Sequence, residues 1–373
     1  MEPAAPDDSS REPDPPPINR RAVMLGMAAV AGVAAIDVGG FAYAGGWLRP
    51  DTLTPSQFAD RFEQIAGRHD GFRRNHAKGL AATGTFAASG AAAEICHAPV
   101  FAKGTIPVVA RFSLSGGLPD QPDKPATVRG LAVQYQLPNG EQWHSPMINT
   151  PVFVDSTPQG FYERILAAKP QPQTGKPDPA AMSAFLARHP ETVAAQRIIA
   201  QQPPTSGFAD STFWGLNAFL MTNRQGVTVP VRWMLVPRQQ AAQPVSEAAT
   251  SDPNYLFDAL IEAMERGPQA WTLKIVIGRP EDPTNDATKP WPADRRTIDA
   301  GTLTIEAVQT EAPGNARDIN FDPLVLPRGI APSDDPLLPA RSAVYARSFA
   351  RRAAEPKQPS AVNVATVEHR DEH

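Results

Sequence analysis

The sequence predicts an α+β fold, an antiparallel sheet or barrel with helices at its sides. Three observations predict it. Runs rich in β-branched and aromatic residues recur at 106–114, 128–137, 227–236, 271–277 and 302–308. Helix-start chemistry appears separately, at Thr54-Pro55, Asp178-Pro179 and Asp252-Pro253. The 41 prolines are scattered, which suits many loops and wrapping segments better than a helical bundle.

Taken in order, Thr54-Pro55-Ser56-Gln57 offers a capping hydroxyl, Pro at the first helical position and Gln at the third. Phe58, Phe62 and Ile65 then share one face, and Gly67 ends the helix. Asp178-Pro179 opens a helix to about His189, where Pro190 interrupts it. Pro230 near the start of the 227–236 run predicts an edge strand or a bulge there. Asp252-Pro253 is read as the cap of a helix with Tyr255, Leu256, Ala259, Leu260 and Met264 on its apolar side. The Pro- and Arg-rich segment 321–352 is expected to end in a helix. No internal repeat is visible.

Composition narrows the function. A formal net charge of −4 gives no electrostatic footprint for nucleic acid. The lone Cys96 cannot form an internal disulfide, a CxxC pair or a structural zinc site. It reads as a small buried apolar residue, with a thiolate ligand as the alternative.

The N-terminus reads as an address. Residues 1–18 are rich in Pro, Asp, Glu and Ser. Asn19-Arg20-Arg21 then precede a weakly apolar Ala/Gly-rich run to about Tyr43, in the manner of a twin-arginine export signal, and Ala42-Tyr43-Ala44 offers a cleavage site. An uncleaved anchor is the alternative, opposed by Asp37 in the middle of the run. The expected organisation is therefore a signal or anchor over 1–44, one domain over 50–360 and a flexible tail over 361–373. The expected partners are the twin-arginine export machinery, and a membrane only through an uncleaved N-terminal segment.

Three clusters carry candidate chemistry. The first is Arg73-Arg74-Asn75-His76-Ala77-Lys78-Gly79, followed by Gly84 and Phe86. The second joins the strand ending Ala110-Arg111-Phe112-Ser113 to Arg129-Gly130-Leu131-Ala132-Val133 and Asn149-Thr150-Pro151-Val152-Phe153. The third runs from Phe321-Asp322-Pro323 through Gly329-Ile330 and Asp334-Asp335 to Arg341-x-x-x-Tyr345 and Arg351-Arg352. Each alone has a plain structural reading. A His beside Arg and Lys is ordinarily a surface residue, and Arg and Tyr at i, i+4 ordinarily pack on one helix face.

Together, in this order, the clusters resemble the catalase family, and its small catalase-like peroxidases in particular, over about residues 72–352. The resemblance implies a catalase-like antiparallel β-barrel core with surrounding helices and a haem b cofactor. It implies Tyr345 as the proximal iron ligand through its phenolate. Arg341 would stabilise that phenolate, and Asp335 would orient the Arg. His76 would act as acid and base over the other haem face, held by Ser113. Asn149 would be the remaining distal amide. Arg73, Arg111 and Arg352 would pair with the haem propionates, and Phe153 and Phe161 would line the distal pocket and its channel.

The departures from the family matter for activity. Catalases carry two adjacent asparagines before Thr-Pro; here Ile148 takes the first place, and an apolar side chain cannot donate a hydrogen bond to peroxide. Asn149 shifting into that role is the alternative. The chain is short, so long wrapping arms and a further C-terminal domain have no room. Ser211 stands where a nicotinamide-binding His is usual. These departures shift the expectation from disproportionation toward peroxidase turnover with a peroxide and a small organic electron donor. A minimal catalase, a hydroperoxide-rearranging enzyme, and a non-enzymatic haem carrier or sensor are the competing readings. An exported binding protein without haem is a further one. Monomer and homo-oligomer are both open.

Overall fold

Helix α1, Pro55–Ala66, begins as its sequence requires. The Thr54 hydroxyl accepts from the Gln57 N–H at 3.2 Å, and the Gln57 side chain accepts from the Thr54 N–H at 2.6 Å. The computed structural model describes residues 53–171, 173–240 and 252–365. The N-terminal export or anchor segment lies outside the described residues.

Ten strands follow: β1 (Gly79–Ala88), β2 (Gly104–Leu114), β3 (Arg129–Gln136), β4 (Gln142–Ile148), β5 (Phe213–Trp214), β6 (Phe219–Thr222), β7 (Thr228–Pro237), β8 (Gln269–Ile277), β9 (Thr297–Gln309) and β10 (Ile330–Pro332). All pairings are antiparallel, and β7 pairs with β8, so β1-β2-β3-β4-β5-β7-β8-β9 close into an eight-stranded barrel. β6 and β10 extend the sheet from β7. The five predicted strand runs are all present within a few residues. The other five, β1, β4, β5, β6 and β10, lie outside those runs: small residues, Pro146 and His144 blur the alternation of β1 and β4, and the remaining three are two to four residues long.

Strand pleating sets the layers. Val108, Ala110, Phe112 and Leu114 of β2 join the core, with Leu131, Val133 and Tyr135 of β3. Trp143 stacks on Tyr135 at 4.6 Å and meets Trp233 edge-on at 5.0 Å. The intervening residues, Arg111, Ser113, Gly130 and Ala132, therefore face outward.

Six α-helices accompany the sheet among the described residues, and the one at Tyr255–Glu265 packs into the core rather than on that outer face. After α1 come α2 (Pro158–Ala167), α3 (Pro179–Arg188), α4 (Pro190–Ala200), α5 (Tyr255–Glu265) and α6 (Leu337–Ala353). Pro190 ends α3 and also starts α4, a helix that the sequence reading stopped short of.

Three local expectations are corrected. Pro230 is neither on an edge nor at a bulge: β7 is paired on both sides, and the Pro230 carbonyl accepts from Gly278 N–H at 2.8 Å just past the last β7–β8 pair. The missing proline N–H thus falls at the margin of that ladder. Asp252 does not cap α5 as the N-cap residue; that position is Asn254, whose N–H donates to Asp252 Oδ1 at 2.8 Å. Asp123, far away in sequence, accepts from Leu256 N–H at 2.8 Å and supplies the cap. The buried face of α5 is Leu256, Phe257, Leu260 and Ile261, and Ala259 is exposed. Finally, residues 361–365 are not a loose tail. Val362 is buried in the core, and Val364 N–H donates to Thr310 Oγ1 at 2.9 Å.

Candidate active site

Between the outer barrel face and α6 lies a cavity of about 560 Å³, within the usual range for cofactor sites. Arg111, Ser113, Gly130, Ala132, Pro146 and Ile148 form its barrel wall. Arg341, Val344, Tyr345, Ser348, Phe349 and Arg352 of α6 form another. The three clusters, far apart in sequence, thus share one chamber.

His76 sits in the turn before β1 with φ of 57°, the left-handed region that non-glycine residues avoid. Such a conformation costs about 1–3 kcal/mol and persists only where surroundings impose it. Here Arg111 on β2 imposes it: its Nη1 donates to the His76 carbonyl at 2.9 Å and its Nη2 to the Ala77 carbonyl at 3.3 Å. Gly79 makes room for that guanidinium, because a Cβ there would lie 2.3 Å from Arg111 Nη2. The imidazole Nδ1 is 3.1 Å from Ser113 Oγ. Gly130 lies beneath the pair; a Cβ there would be 2.8 Å from Ser113 Oγ and 3.4 Å from the His76 ring. Burial, then the charges of Arg111, Arg73 and Arg341, push the imidazole down to about 3. His76 is therefore neutral at physiological pH, with one ring nitrogen able to accept a proton.

On α6, Arg341 Nη2 is 3.5 Å from Tyr345 Oη, one helical turn away. Asp335 does not hold this Arg directly. Arg341 Nη1 donates to Asn217 Oδ1, and Asn217 Nδ2 donates to Asp335 Oδ2 at 2.7 Å. The carboxylate acts through Asn217, a residue that the sequence reading missed. Asp335 also receives the Leu337 N–H at 2.9 Å and so fixes the start of α6.

Arg73, Arg111 and Arg352 all line the cavity, yet their commitments differ. Arg73 donates to the carbonyls of Ala316 and Ile319, at 3.2 and 2.7 Å. Arg352 donates to those of Arg317 and Ile319. Arg111 is held bidentately by Glu311, at 2.7 and 3.0 Å. Its fork is thus occupied by a protein carboxylate, unlike the free fork expected for a propionate partner. Burial, then the charges of Arg111 and Arg352, hold the Arg73 guanidinium well below its usual range. Buried cations crowd one acid here, so the chemistry of this corner favours added anionic groups.

Phe153 and Phe161 line the cavity 5.6 Å apart. Phe58 and Phe62 of α1, read from the sequence as a helix face, meet Phe161 at 6.2 and 6.1 Å and join the same lining. Ile148 also lines it. Asn149 does not: its Oδ1 accepts from Arg129 N–H at 2.8 Å, tying the end of β4 to β3. A side chain so engaged does not substitute for the missing amide. Ser211 is buried, donating to the Gly207 carbonyl. Cys96 is buried, its thiol donates to the Gly329 carbonyl at 3.3 Å, and burial raises it to about 11, the behaviour of an inert structural thiol.

The family model described as Catalase matches residues 51–373. The chain belongs to the catalase family. It is 40% identical over 337 residues to a catalase-related peroxidase of Synechococcus elongatus, covering 90% of this chain and 97% of that one. It is 33% identical over 303 residues to a catalase-related peroxidase of Mycolicibacterium paratuberculosis, covering 80% and 95%. Among solved structures, a bacterial catalase superposes with a TM-score of 0.67 at 24% identity, covering 82% of this chain and 62% of that one. Catalase A from Saccharomyces cerevisiae gives 0.67 at 23%, covering 81% and 65%. At these identities the likeness carries the fold alone, and the chain spans under two thirds of those catalases. Catalase-family membership implies a haem cofactor. The chamber fits one: a phenol backed by an Arg, a neutral buried His, apolar walls and a cationic corner suited to two carboxylates.

Proposed function

We propose that the chain is a haem b peroxidase working outside the cytoplasm, reducing hydrogen peroxide or organic hydroperoxides with electrons from a small organic donor. The observation that carries this reading is the His76–Ser113 contact facing the same cavity as the Arg341–Tyr345 pair. The names of the two catalase-related peroxidases support it. Export rests on the Arg20-Arg21 segment and the apolar run after it.

Bound haem supplies the electron exchange with peroxide that no side chain here can perform. Tyr345 would hold the iron through its phenolate oxygen, with Arg341 stabilising the negative charge. Arg73 and Arg352 would hold the propionates, helped by the remaining N–H of Arg111. His76 takes the proton from the near oxygen of the peroxide and returns it to the departing oxygen. Ser113 fixes the ring: with Nδ1–H donating to its Oγ, Nε2 presents a lone pair to the cavity. Two electrons and two protons convert a hydroperoxide to the alcohol and water, the electrons coming from the donor.

Ile148 favours peroxidase over catalase turnover, since it lines the chamber and Asn149 is engaged elsewhere. Purified protein should show a Soret band and oxidise a dye donor with peroxide faster than it releases oxygen from peroxide alone. Dominant oxygen release would make it a minimal catalase. A haem protein inert to peroxide would be a carrier, and a haem titration without a saturable shift of the Soret band would defeat the reading. Cell fractionation with the Arg20-Arg21 pair replaced by Lys tests export.

A further inference from the structure

Glu311 lies just beyond β9, 200 residues from Arg111, and neither side chain is more than 3% exposed. Burial pushes its carboxyl up, but the charge and hydrogen bonds of Arg111 outweigh this and keep it below the usual range. It is therefore ionised. Its two oxygens take Nε and Nη2 of Arg111 at 2.7 and 3.0 Å. The other edge of the same guanidinium grips the successive carbonyls of His76 and Ala77. The planar group thus spans from a carboxylate just past one strand end to the left-handed turn at His76, which with Leu216 makes two such non-glycine positions along the cavity among the described residues. Two further bonds hold the residues on either side of His76: Ala77 N–H to the Gly116 carbonyl at 2.9 Å, and Gly116 N–H to Asn75 Oδ1 at 2.9 Å.

We propose that Glu311 is a positioning residue for the peroxide reaction: through Arg111 it clamps the backbone of His76 in its left-handed turn and so aims the imidazole. Without the carboxylate fork, the guanidinium is free to turn toward other acceptors, including anionic groups of a bound cofactor. The His76 carbonyl then loses its donor, the turn relaxes toward ordinary φ, and Nδ1 drifts from Ser113. Loss of an outer partner of this kind lowers activity by roughly 10- to 100-fold. This inference rests on the peroxidase reading, and it assigns Glu311 no contact with substrate.

The test is Glu311→Gln in the haem-loaded enzyme, with Glu311→Asp as a second variant should the first not fold. Three quantities are compared with the wild type: haem affinity by Soret titration, the rate of reaction with hydrogen peroxide, and the rate of cyanide association. Cyanide binding as HCN also needs a proton acceptor in the chamber. The clamp predicts slower peroxide and cyanide reactions, by roughly tenfold or more, with haem affinity unchanged or tighter, because a cation has been released. A merely structural role would weaken haem binding in parallel. A double cycle with Ser113→Ala adds a second criterion: both changes act on His76, so the losses should overlap. Full rates with haem bound, parallel loss of haem affinity, or strictly multiplicative losses would each overturn the proposal. A wild type that takes up haem but ignores peroxide would instead overturn the peroxidase reading itself.

Discussion

The Nδ1 of His76 lies 3.1 Å from the Oγ of Ser113, joining a strained turn to the outward face of β2. The contact divides labour: the turn places the ring, and the hydroxyl fixes its rotation. His76→Ala should lower the rate of peroxide reaction by roughly 100- to 10,000-fold while haem absorption persists. Ser113→Ala should cost less, about tenfold, because Arg111 still holds the backbone. Stopped-flow mixing with hydrogen peroxide measures both, and equal losses would mean that the ring is useless without the hydroxyl and that Arg111 alone does not aim it.

Ile148 sets the second prediction. It lines the cavity at the place where the sequence resemblance implies an amide in catalases, and its neighbour Asn149 is bound to Arg129. Ile148→Asn should raise oxygen release from peroxide alone relative to donor oxidation. An oxygen electrode beside a dye assay gives the ratio. A fall in both activities would point instead to a packing role for the isoleucine.

The relay from Asp335 through Asn217 to Arg341 gives the third. Asn217→Leu removes both bonds at nearly constant volume and leaves a buried carboxylate without its amide donor. Stability should fall by about 1–3 kcal/mol, and the haem absorption should shift as Arg341 loses its hold beside Tyr345. Chemical denaturation and the visible spectrum check the two effects separately. An unchanged spectrum would exclude Asn217 from the proximal relay.

Acid should destabilise the fold before the carboxylates titrate. Burial depresses His76 to about 3 and His144 to about 4, from an unfolded value near 6.5. As pH falls below about 6.5, the unfolded chain takes up protons that the folded chain refuses, so stability drops until these folded values are reached. His189 works in the opposite sense. Burial lowers it, but bonds to Glu191 and Glu163 outweigh this, so its contribution is present in acid and fades as pH rises through its raised value. Below about pH 4.5 another loss begins, as Glu355, held down to about 2 chiefly by Arg74, becomes protonated on unfolding. Melting temperatures between pH 7 and 4 should decline in the wild type and decline less in His144→Gln. Equal slopes would remove His144 from the account.

Much of the fold was legible because its signals are local. The hydroxyl–Pro–Gln start of α1, the helix beginning at Asp178-Pro179 and the β-branched runs of β2, β3, β7, β8 and β9 are read within a few residues. Pro230 misled because a proline reports a missing N–H, not whether that N–H was needed; at the margin of the β7–β8 ladder it costs little. Asp252 misled because a helix N-terminus accepts whichever carboxylate reaches it, and Asp123 reaches it from another part of the chain.

The site divides along the same line. The sequence by itself determined the family, and it named His76, Ser113, Tyr345, Arg341 and the cavity arginines as candidates, because these residue types in this order match one family's pattern. Only the tertiary structure decided how they are held. Asn217 stands between Asp335 and Arg341, Glu311 occupies the fork of Arg111, and Asn149 is turned onto Arg129. None of these has a periodic or motif signature. The last spans only 20 positions between the adjacent strands β3 and β4, but the first two join residues 118 and 200 positions apart, which the closed fold alone brings within hydrogen-bond reach.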